Sequence, residues 1–270
     1  NVVKIVVPFA IKHHIPILPI MQETGLVSAY SKVFGNIQFL DKSIVDETAI
    51  EYGKKLKQYL ASTLVSDELA QKIRGAFDAY IFLSYRKKDR KHAQELMRLI
   101  HENDFCRDIA IWYDEFLVPG EDFNNAIEQA LNKSELFALV VTPNLVNEPN
   151  YVRDVEYPLA RQEKKPVLPV ELVSTDYDAL RSGYEDIPPC TTTDTEMLRA
   201  ALLSNLGHIA HKASDSPEHN FFIGLAYLEG LDLEVNYSKA VSLITSSAER
   251  GLSAAMHKLA TMYHIGQGVT

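Results

Sequence analysis

Glu156 is the residue whose type and position best suit a catalytic role. It follows Tyr151 near the start of a predicted helix, and that helix leads to a predicted strand at residues 167–170. Open parallel α/β sheets bind their ligands at the carboxyl ends of the strands, where a carboxylate can stabilise positive charge on a ligand. The simpler interpretation is a carboxylate that only complements the dipole at a helix start. The positions of other residues decide between the two.

A basic segment, residues 86–92, follows the first predicted strand directly. This position puts Arg86 and Lys87 at the same edge of the sheet as Glu156, although such a run is more commonly a solvated helix face. The chain as a whole is acidic, since 27 Lys and Arg against 36 Asp and Glu give a net charge of −9. Nucleic acid is therefore not predicted as a partner, because phosphate binding needs clustered Lys and Arg.

Cysteines and histidines give no metal site. The chain has two cysteines, Cys106 and Cys190, and nine scattered histidines, without the spacing of metal ligands. No apolar run reaches the roughly 18 residues that a membrane span needs, and no signal peptide is visible. The sequence therefore predicts a cytoplasmic protein without membrane contact. Because the chain begins at Asn1 rather than Met, we expect a fragment of a longer protein.

Short apolar segments alternate with helical patterns from residue 77 to about residue 209. The four predicted strands are nearly all apolar, as is typical of strands buried on both faces: 79–84, 109–113, 136–141 and 167–170. Helical spacing of apolar residues lies between them, and a last amphipathic helix spans 198–209. Strands that alternate with helices predict a parallel sheet with right-handed crossovers.

From about residue 217 the pattern becomes all-helical and repeats itself. Residues 223–230 recur as 259–266, with Tyr227 and Tyr263 separated by 36 positions (263 − 227). A period in the mid-thirties with small residues at helix contacts predicts a helical-hairpin solenoid. The pattern resembles Sel1-like repeats. Since about three such units are usually needed for stability, we expect the array to continue beyond Thr270.

The first 62 residues repeat part of the α/β region. A shift of 150 residues places 1–20 on 151–170 without a gap, and it superimposes these pairs: Pro8 on Pro158, Pro16 on Pro166, Leu18 on Leu168 and Pro19 on Pro169. We interpret residues 1–62 as the back half of a second copy whose front half is missing. Chance matching of two Pro-bounded strands is the alternative. In this copy Val6 stands where Glu156 stands in the other.

Three short motifs follow the predicted strands in a fixed order. Phe82-Leu83-Ser84-Tyr85-Arg86 ends the first strand, Trp112-Tyr113-Asp114-Glu115 ends the second, and Leu117-Val118-Pro119-Gly120 follows as a loop. In this order and at this spacing, residues 77–212 resemble a TIR (Toll/interleukin-1 receptor) domain of the prokaryotic, NAD-cleaving type. The resemblance implies an α/β fold with a flavodoxin-like open parallel sheet, followed by the all-α solenoid.

The predicted organisation has four parts. Residues 1–62 form the back half of a degenerate TIR-like domain, 63–76 a helical linker, 77–212 the TIR domain, and 217–270 a truncated set of Sel1-like repeats.

The resemblance gives Glu156 a role. In TIR enzymes the catalytic glutamate lies in the helix before the fourth strand, and Pro169 of that strand follows Glu156 at the family's distance of 13 residues (169 − 156). The family often has Trp four residues before the glutamate, where this chain has Val152, and Tyr151 is the neighbouring aromatic. The implied reaction is cleavage of the nicotinamide–ribose bond of NAD⁺, in which positive charge develops on the ribose and a carboxylate stabilises it.

NAD⁺ is then the substrate, and no separate cofactor is expected. The residues predicted to bind it are Ser84, Tyr85, Arg86, Lys87, Trp112, Asp114 and Tyr151. Tyr151 or Trp112 can stack on the nicotinamide ring, and Arg86 with Lys87 behind it can meet the pyrophosphate. Simpler roles stay open for two of them: Trp112 as core packing at a strand end, and Asp114 as a turn residue that bonds its own backbone.

The resemblance implies an NAD⁺ nucleosidase that releases nicotinamide and leaves ADP-ribose or a cyclic form. It also implies activation by self-association of the TIR domain, with a protein or ligand trigger bound by the repeats. The setting would be bacterial immune defence, such as anti-phage defence, or stress signalling. The alternative is a non-catalytic adaptor in which the TIR domain and the solenoid mediate protein–protein interaction. A nucleoside-processing enzyme of similar α/β form is a third interpretation.

Overall fold

The structure is a computed structural model that describes residues 67–113, 123–147, 150–207 and 215–269. Of the first 66 residues it describes only 5–13, 17, 19–21, 32, 34 and 40–41. The chain divides into two compact units, residues 1–70 with 114–129 and residues 71–113 with 130–270. The predicted α/β sheet and the predicted repeats both lie in the second unit.

The described part of the first unit contains helix α1 (Val7–Lys12) and two short strands, β1 (Ile20–Met21) and β2 (Leu40–Asp41). The strands pair in parallel, with Ile20 opposite Leu40. Residues 5–6 form a π-helical turn directly before α1. Helix α2 (Asp67–Ala76) lies within the segment predicted as a helical linker.

The second unit is built on a five-stranded parallel sheet. Its strands are β3 (Ala79–Ser84), β4 (Ile109–Trp112), β5 (Leu136–Val141), β6 (Val167–Glu171) and β7 (Thr191–Thr192). They lie side by side in the order β4-β3-β5-β6-β7. In this order the chain moves outward from β3 to one side and then, from β5 onward, to the other. The flavodoxin-like open sheet that the sequence predicts is therefore confirmed, with its switch point between β3 and β5.

Helices connect these strands. They are α3 (Arg90–Glu102) after β3, α4 (Phe123–Lys133) after β4, α5 (Pro143–Asn147) and α6 (Tyr157–Gln162) after β5, α7 (Tyr177–Gly183) after β6, and α8 (Thr195–Leu206) after β7. Every residue of β3 and β5 is buried, as expected for strands covered on both faces. Helix α3 buries Ala93, Leu96, Met97 and Ile100, which form one face at helical spacing.

The sequence analysis missed strand β7 and misplaced several boundaries. β7 has only two residues, both threonine, so no apolar run marks it. β4 ends at Trp112, one residue before the predicted end. Helix α8 begins earlier than its apolar pattern, at Thr195, because the Asp194 side chain accepts the backbone N–H of Met197 at 3.0 Å and caps the helix there.

The region after residue 215 is all-helical, as predicted. Helices α9 (Pro217–Glu229), α10 (Tyr237–Glu249) and α11 (Ser253–Ile265) follow one another, and α9 and α11 start 36 residues apart (253 − 217). Each of these two helices ends at a glycine in the left-handed conformation, Gly230 at φ 69° and Gly266 at φ 67°. The period read from the sequence is therefore the period of the helices. Within the described residues, no helix is long and apolar enough to cross a bilayer.

Helix α9 and the turn that follows it bond to residues on both sides of strand β4. Before the strand, the Tyr227 hydroxyl donates to the Arg107 carbonyl at 2.8 Å, and His219 Nε2 contacts Asp108 Oδ2 at 2.9 Å. After it, the Tyr113 hydroxyl donates to Glu234 at 3.2 Å. The helical repeat is thus joined to the outer strand of the sheet.

A piece of the first unit repeats the pattern of the second at the predicted shift. Residues 5–6 are π-helical and precede a six-residue helix, Val7–Lys12, and 150 positions later residues 155–156 end a π-helical turn that precedes the six-residue helix Tyr157–Gln162. Val7 and Ala10 are buried, as are the corresponding Tyr157 and Ala160. These facts agree with a second copy, but most of residues 1–62 lie outside the described residues, and that interpretation stays a prediction.

Candidate active site

Ser84 and Glu156 meet at the carboxyl edge of the sheet. Ser84 is the last residue of β3, and its hydroxyl donates to Glu156 Oε2 at 2.5 Å. Both side chains are buried, with 1% and 7% of their surface exposed. Glu156 lies on the connection that leaves β5, so the contact bridges the two strands at the switch point. Two residues singled out from separate motifs are in direct contact.

A π-helical turn, Val152–Glu156, presents the glutamate. Val152 is also buried, and side chains four residues apart on a helix share a face. The carboxylate therefore points into the protein. A residue that served only the helix dipole would sit exposed on the first turn, whereas Glu156 is buried and bonded to Ser84. Turns of this wider type are found often at functional sites.

Asn150 fixes the start of this turn. Its Oδ1 accepts the backbone N–H of Arg153 at 3.0 Å, and its Nδ2 donates to the Leu145 carbonyl at 3.0 Å. A side-chain oxygen that accepts a backbone N–H at a helix start is the usual way to satisfy the first unpaired donors. Asn150 thus ties the Glu156 turn to helix α5.

Tyr184 lies beside the site, and no sequence pattern pointed to it. It is fully buried, its ring meets Tyr157 edge to face at 5.1 Å, and its hydroxyl donates to the Leu145 carbonyl at 3.3 Å. Burial raises the pKa of Tyr184 well above its usual value. The charges of Arg153 and Arg86 act to lower that pKa and the charge of Glu156 acts to raise it. Arg86 and Glu156 therefore act on the same hydroxyl.

Asp89 is a second buried carboxylate at this edge, also missed. It is 4% exposed and accepts the Thr142 hydroxyl at 2.6 Å and the Asn144 amide at 2.7 Å. The sequence signals available were a single acidic residue inside a basic segment and a polar residue, Thr142, directly after an apolar strand.

The predicted aromatic residues differ in exposure. Trp112 is partly exposed and stacks on Phe82 at 4.7 Å, which is the packing role left open from the sequence. Tyr85 is buried, with its ring 6.3 Å from that of Tyr113. Tyr151 is partly exposed, next to the buried Val152. Of these three residues, Trp112 and Tyr151 are partly exposed and Tyr85 is buried.

The remaining predicted residues divide between the basic segment and the loop. Arg86 is partly exposed and Lys87 is exposed at the end of β3. Asp114 and the loop motif that follows it lie outside the described residues. Among the residues that the structure describes, no group of three or more His, Cys, Asp or Glu is arranged to hold a metal ion.

A groove of about 560 Å³ runs along the outer side of α6. Arg153, Tyr157, Arg161, Gly183 and Asp186 are among its lining residues, and Ser84 and Glu156 are not. Its two arginines contact neighbouring carboxylates, Arg153 with Asp154 and Arg161 with Asp186. The groove is therefore separate from the Ser84–Glu156 contact.

Comparison with known families agrees with this geometry. The family model of the TIR domain matches residues 81–201. The matched segment starts in β3 and ends in α8, so it spans the whole sheet and contains Ser84, Asp89 and Glu156. A search of curated proteins finds no match to the chain. Sheet order and family match together support a TIR domain at these residues, a class of domain that self-associates and acts in signalling as an NAD⁺-cleaving enzyme or as a scaffold.

Proposed function

We propose that the protein is an NAD⁺ nucleosidase in which Glu156 is the catalytic carboxylate. The observation that carries this proposal is the buried Glu156 bonded to Ser84 at 2.5 Å, at the switch point of a TIR sheet. The nicotinamide–ribose bond breaks and nicotinamide leaves with the bonding electrons; the ribose carbon then bonds to water, which loses a proton and gives ADP-ribose, or to another group of the same molecule, which gives a cyclic form. Because nicotinamide is a good leaving group, a second carboxylic acid is not required.

Glu156 acts by stabilising positive charge on the ribose as the bond breaks. A carboxylate that is 7% exposed is poorly screened by water, so its attraction to a developing cation is stronger than in solution. Ser84 holds the carboxylate in one orientation. A serine hydroxyl rotates freely, so Ser84 can exchange this bond for one to a ribose hydroxyl when the substrate binds.

The rest of the substrate is held by residues around this contact. Arg86, with Lys87 beyond it, faces the pyrophosphate, since a guanidinium matches the geometry of phosphate oxygens. Tyr151 or Trp112, both partly exposed residues, stacks on the nicotinamide ring.

Self-association of the TIR domain is proposed to produce the active state, and the helical repeat, which resembles Sel1-like repeats, is proposed to bind a protein or ligand trigger. The bonds from α9 and the turn after it to both sides of β4 support such a link, because an event at the repeat reaches the strand that directly precedes residues 114–122. The setting proposed is bacterial immune or stress signalling, including anti-phage defence, in the cytoplasm.

A scaffold without catalysis is the second candidate. The hydrogen bonds between the helical repeat and the sheet favour the scaffold, because they join two interaction modules into one unit. A scaffold, however, has no need of a buried carboxylate at the switch point, and burying one is unfavourable unless it is well bonded.

The test is nicotinamide release from NAD⁺ by concentrated protein, with crowding agents to favour assembly. Glu156→Gln keeps the size of the side chain and removes its charge, and we expect kcat/KM to fall by about 10²-fold or more, the typical effect of removing one transition-state contact. Glu171→Gln is the matched control. Glu171 ends the neighbouring strand β6 and accepts the Thr175 backbone N–H at 2.9 Å, a bond that glutamine retains.

Two results would exclude the enzyme. One is an assembled wild-type sample that releases no nicotinamide. The other is equal activity of wild type and Glu156→Gln. An inactive wild type that still self-associates would favour the scaffold.

A further inference from the structure

We propose that Asp89 is a positioning residue of the active site. It holds Arg86, on the β3 side of the switch point, at a fixed distance from Glu156, on the β5 side. This inference rests on the proposed function, because it concerns how the same site is assembled. In this proposal Asp89 itself does not contact NAD⁺.

Asp89 stands at the N-cap position of helix α3, but its side chain does not cap the helix. Asp89 is the N-cap residue of helix α3, where aspartate normally accepts a backbone N–H of the first turn, yet its carboxylate makes no such bond. Two other aspartates of the same unit do cap their helices. Asp176 accepts the backbone N–H of Asp178 and of Ala179, and Asp194 accepts that of Met197.

The carboxylate crosses instead to the neighbouring strand. Its two oxygens accept Thr142 Oγ1 at 2.6 Å and Asn144 Nδ2 at 2.7 Å. Thr142 directly follows β5 and is 1% exposed. In the ladder Ser84 lies opposite Leu139, so Asp89 joins β3 and β5 beyond their last backbone pair. Beyond Ser84 and Leu139, no backbone hydrogen bond of the β3–β5 ladder joins these two segments.

From Asn144 a chain of bonds reaches Glu156. Asn144 and Leu145 belong to α5, and the Leu145 carbonyl accepts the Asn150 side chain at 3.0 Å. Asn150 in turn accepts the Arg153 backbone N–H, inside the π-helical turn that ends at Glu156. A shift of the Thr142–Asn144 segment therefore moves the start of the turn that carries the carboxylate.

On the other side, Asp89 fixes Arg86. The backbone N–H of Asp89 donates to the Arg86 carbonyl at 2.7 Å and closes a 3₁₀ turn, Lys87–Asp89. The same residue therefore sets the backbone that carries Arg86 and the segment that leads to Glu156. The Ser84–Glu156 bond also joins the two sides, but it opens when the ribose takes the carboxylate. The bonds of Asp89 need not open.

The test compares Asp89→Ala with Asp194→Ala. Each removes one aspartate at a helix N-cap, but Asp194 is exposed and its carboxylate accepts the local cap bond from Met197. We expect Asp89→Ala to raise KM for NAD⁺ at least tenfold and to lower kcat, while Asp194→Ala keeps both within twofold of wild type at a similar loss of Tm. Asp89→Asn should recover most of the activity, because its oxygen accepts Asn144 and its amide can donate to the Thr142 hydroxyl oxygen.

A second measurement does not depend on turnover. Hydrogen exchange of the backbone amides in residues 85–92 and 142–156 is expected to become at least tenfold faster in both segments of Asp89→Ala, and to stay unchanged in Asp194→Ala. If wild type releases no nicotinamide, the proposed function fails, and this exchange still decides whether Asp89 couples the two segments. Unchanged exchange, KM within twofold of wild type, or an equal KM rise in Asp194→Ala would overturn the proposal.

Discussion

Two buried aspartates at opposite ends of the sheet differ in their partners. Asp108 stands before β4 and is 3% exposed, and Asp89 stands after β3 and is 4% exposed. Asp108 accepts two bonds from the Arg107 guanidinium, at 2.5 and 2.7 Å, and contacts the His219 imidazole at 2.9 Å. Asp89 accepts from a hydroxyl and an amide, which are neutral.

The difference separates a structural cluster from a candidate functional one. Burial alone would raise the pKa of Asp108, but the bonds from Arg107 and His219 outweigh it and lower that pKa. A buried charge compensated in this way serves to join the repeat to the sheet. Neutral donors orient Asp89 without cancelling its charge. Ligands of open α/β sheets bind outside the carboxyl ends of the strands, which is the end where Asp89 stands and Asp108 does not.

The largest effect on stability is expected from Asp108→Ala. The variant leaves Arg107 and His219 without their common acceptor, and breaking a buried pair costs about 3–5 kcal/mol. Because the Arg107 side chain is 34% exposed, we expect a loss of about 3 kcal/mol in the free energy of unfolding. Urea unfolding followed by far-UV circular dichroism measures it. Asp89→Ala, which leaves two neutral donors unsatisfied, should lose only about 1–2 kcal/mol, and equal losses would erase the distinction between the clusters.

The second largest effect on stability is expected from acid, through His101. Burial lowers the pKa of His101 to about 4, with Lys239 acting in the same direction and the bond from its ring to the Ile109 carbonyl acting against both. Histidine in an unfolded chain has a pKa of about 6.5. Between these values the unfolded state binds more protons, so stability falls as pH drops from about 6.5 to 4, by at most about 3 kcal/mol.

The variant His101→Gln isolates this contribution. Glutamine keeps a donor for the Ile109 carbonyl but does not titrate, so the unfolding free energy of this variant should depend less on pH across that window. Urea unfolding at pH 7, 5.5 and 4.5 measures the slope. A slope equal to that of wild type would mean that other groups cause the acid sensitivity.

The smallest effect is expected at Tyr113, which follows β4 but bonds to the repeat. Tyr113→Phe removes the hydroxyl that donates to Glu234 at 3.2 Å and keeps the buried ring. We expect a loss of about 1 kcal/mol, seen as a lower Tm, with the proposed NAD⁺ cleavage unchanged. Loss of cleavage at an unchanged Tm would instead assign Tyr113 to the active site.

The sequence predicted those features that depend on apolar pattern and spacing. The runs that became β3, β5 and β6 are apolar because the sheet is buried on both faces. The 36-residue period appears in the starts of α9 and α11, and within α9 the small residue Gly224 lies where an added Cβ would come within 2.8 Å of Ile244 in α10. Glu156 was chosen by its family spacing and Ser84 by its strand motif, and the structure brings the two side chains into contact.

Bonds between distant side chains were not predictable in this way. His219 and Asp108 are 111 positions apart, and Asp89 and Thr142 are 53 apart. Nothing in the local pattern tells an aspartate that caps its own helix, such as Asp194, from one that bonds to another strand. The π-helical turn at Glu156 likewise depends on Asn150 and its neighbours in space.

The two outer strands of the five-stranded sheet also restrict how copies of this protein can associate. An exposed outer strand invites pairing with another chain. Here one outer strand, β7, has only two residues, and the other, β4, has four and is bracketed by side chains bonded to the repeat. Neither offers a long open ladder for intermolecular pairing. Assembly of the TIR domain would then use helix faces and loops, and it would proceed without the growth of continuous β-structure that makes many aggregates irreversible.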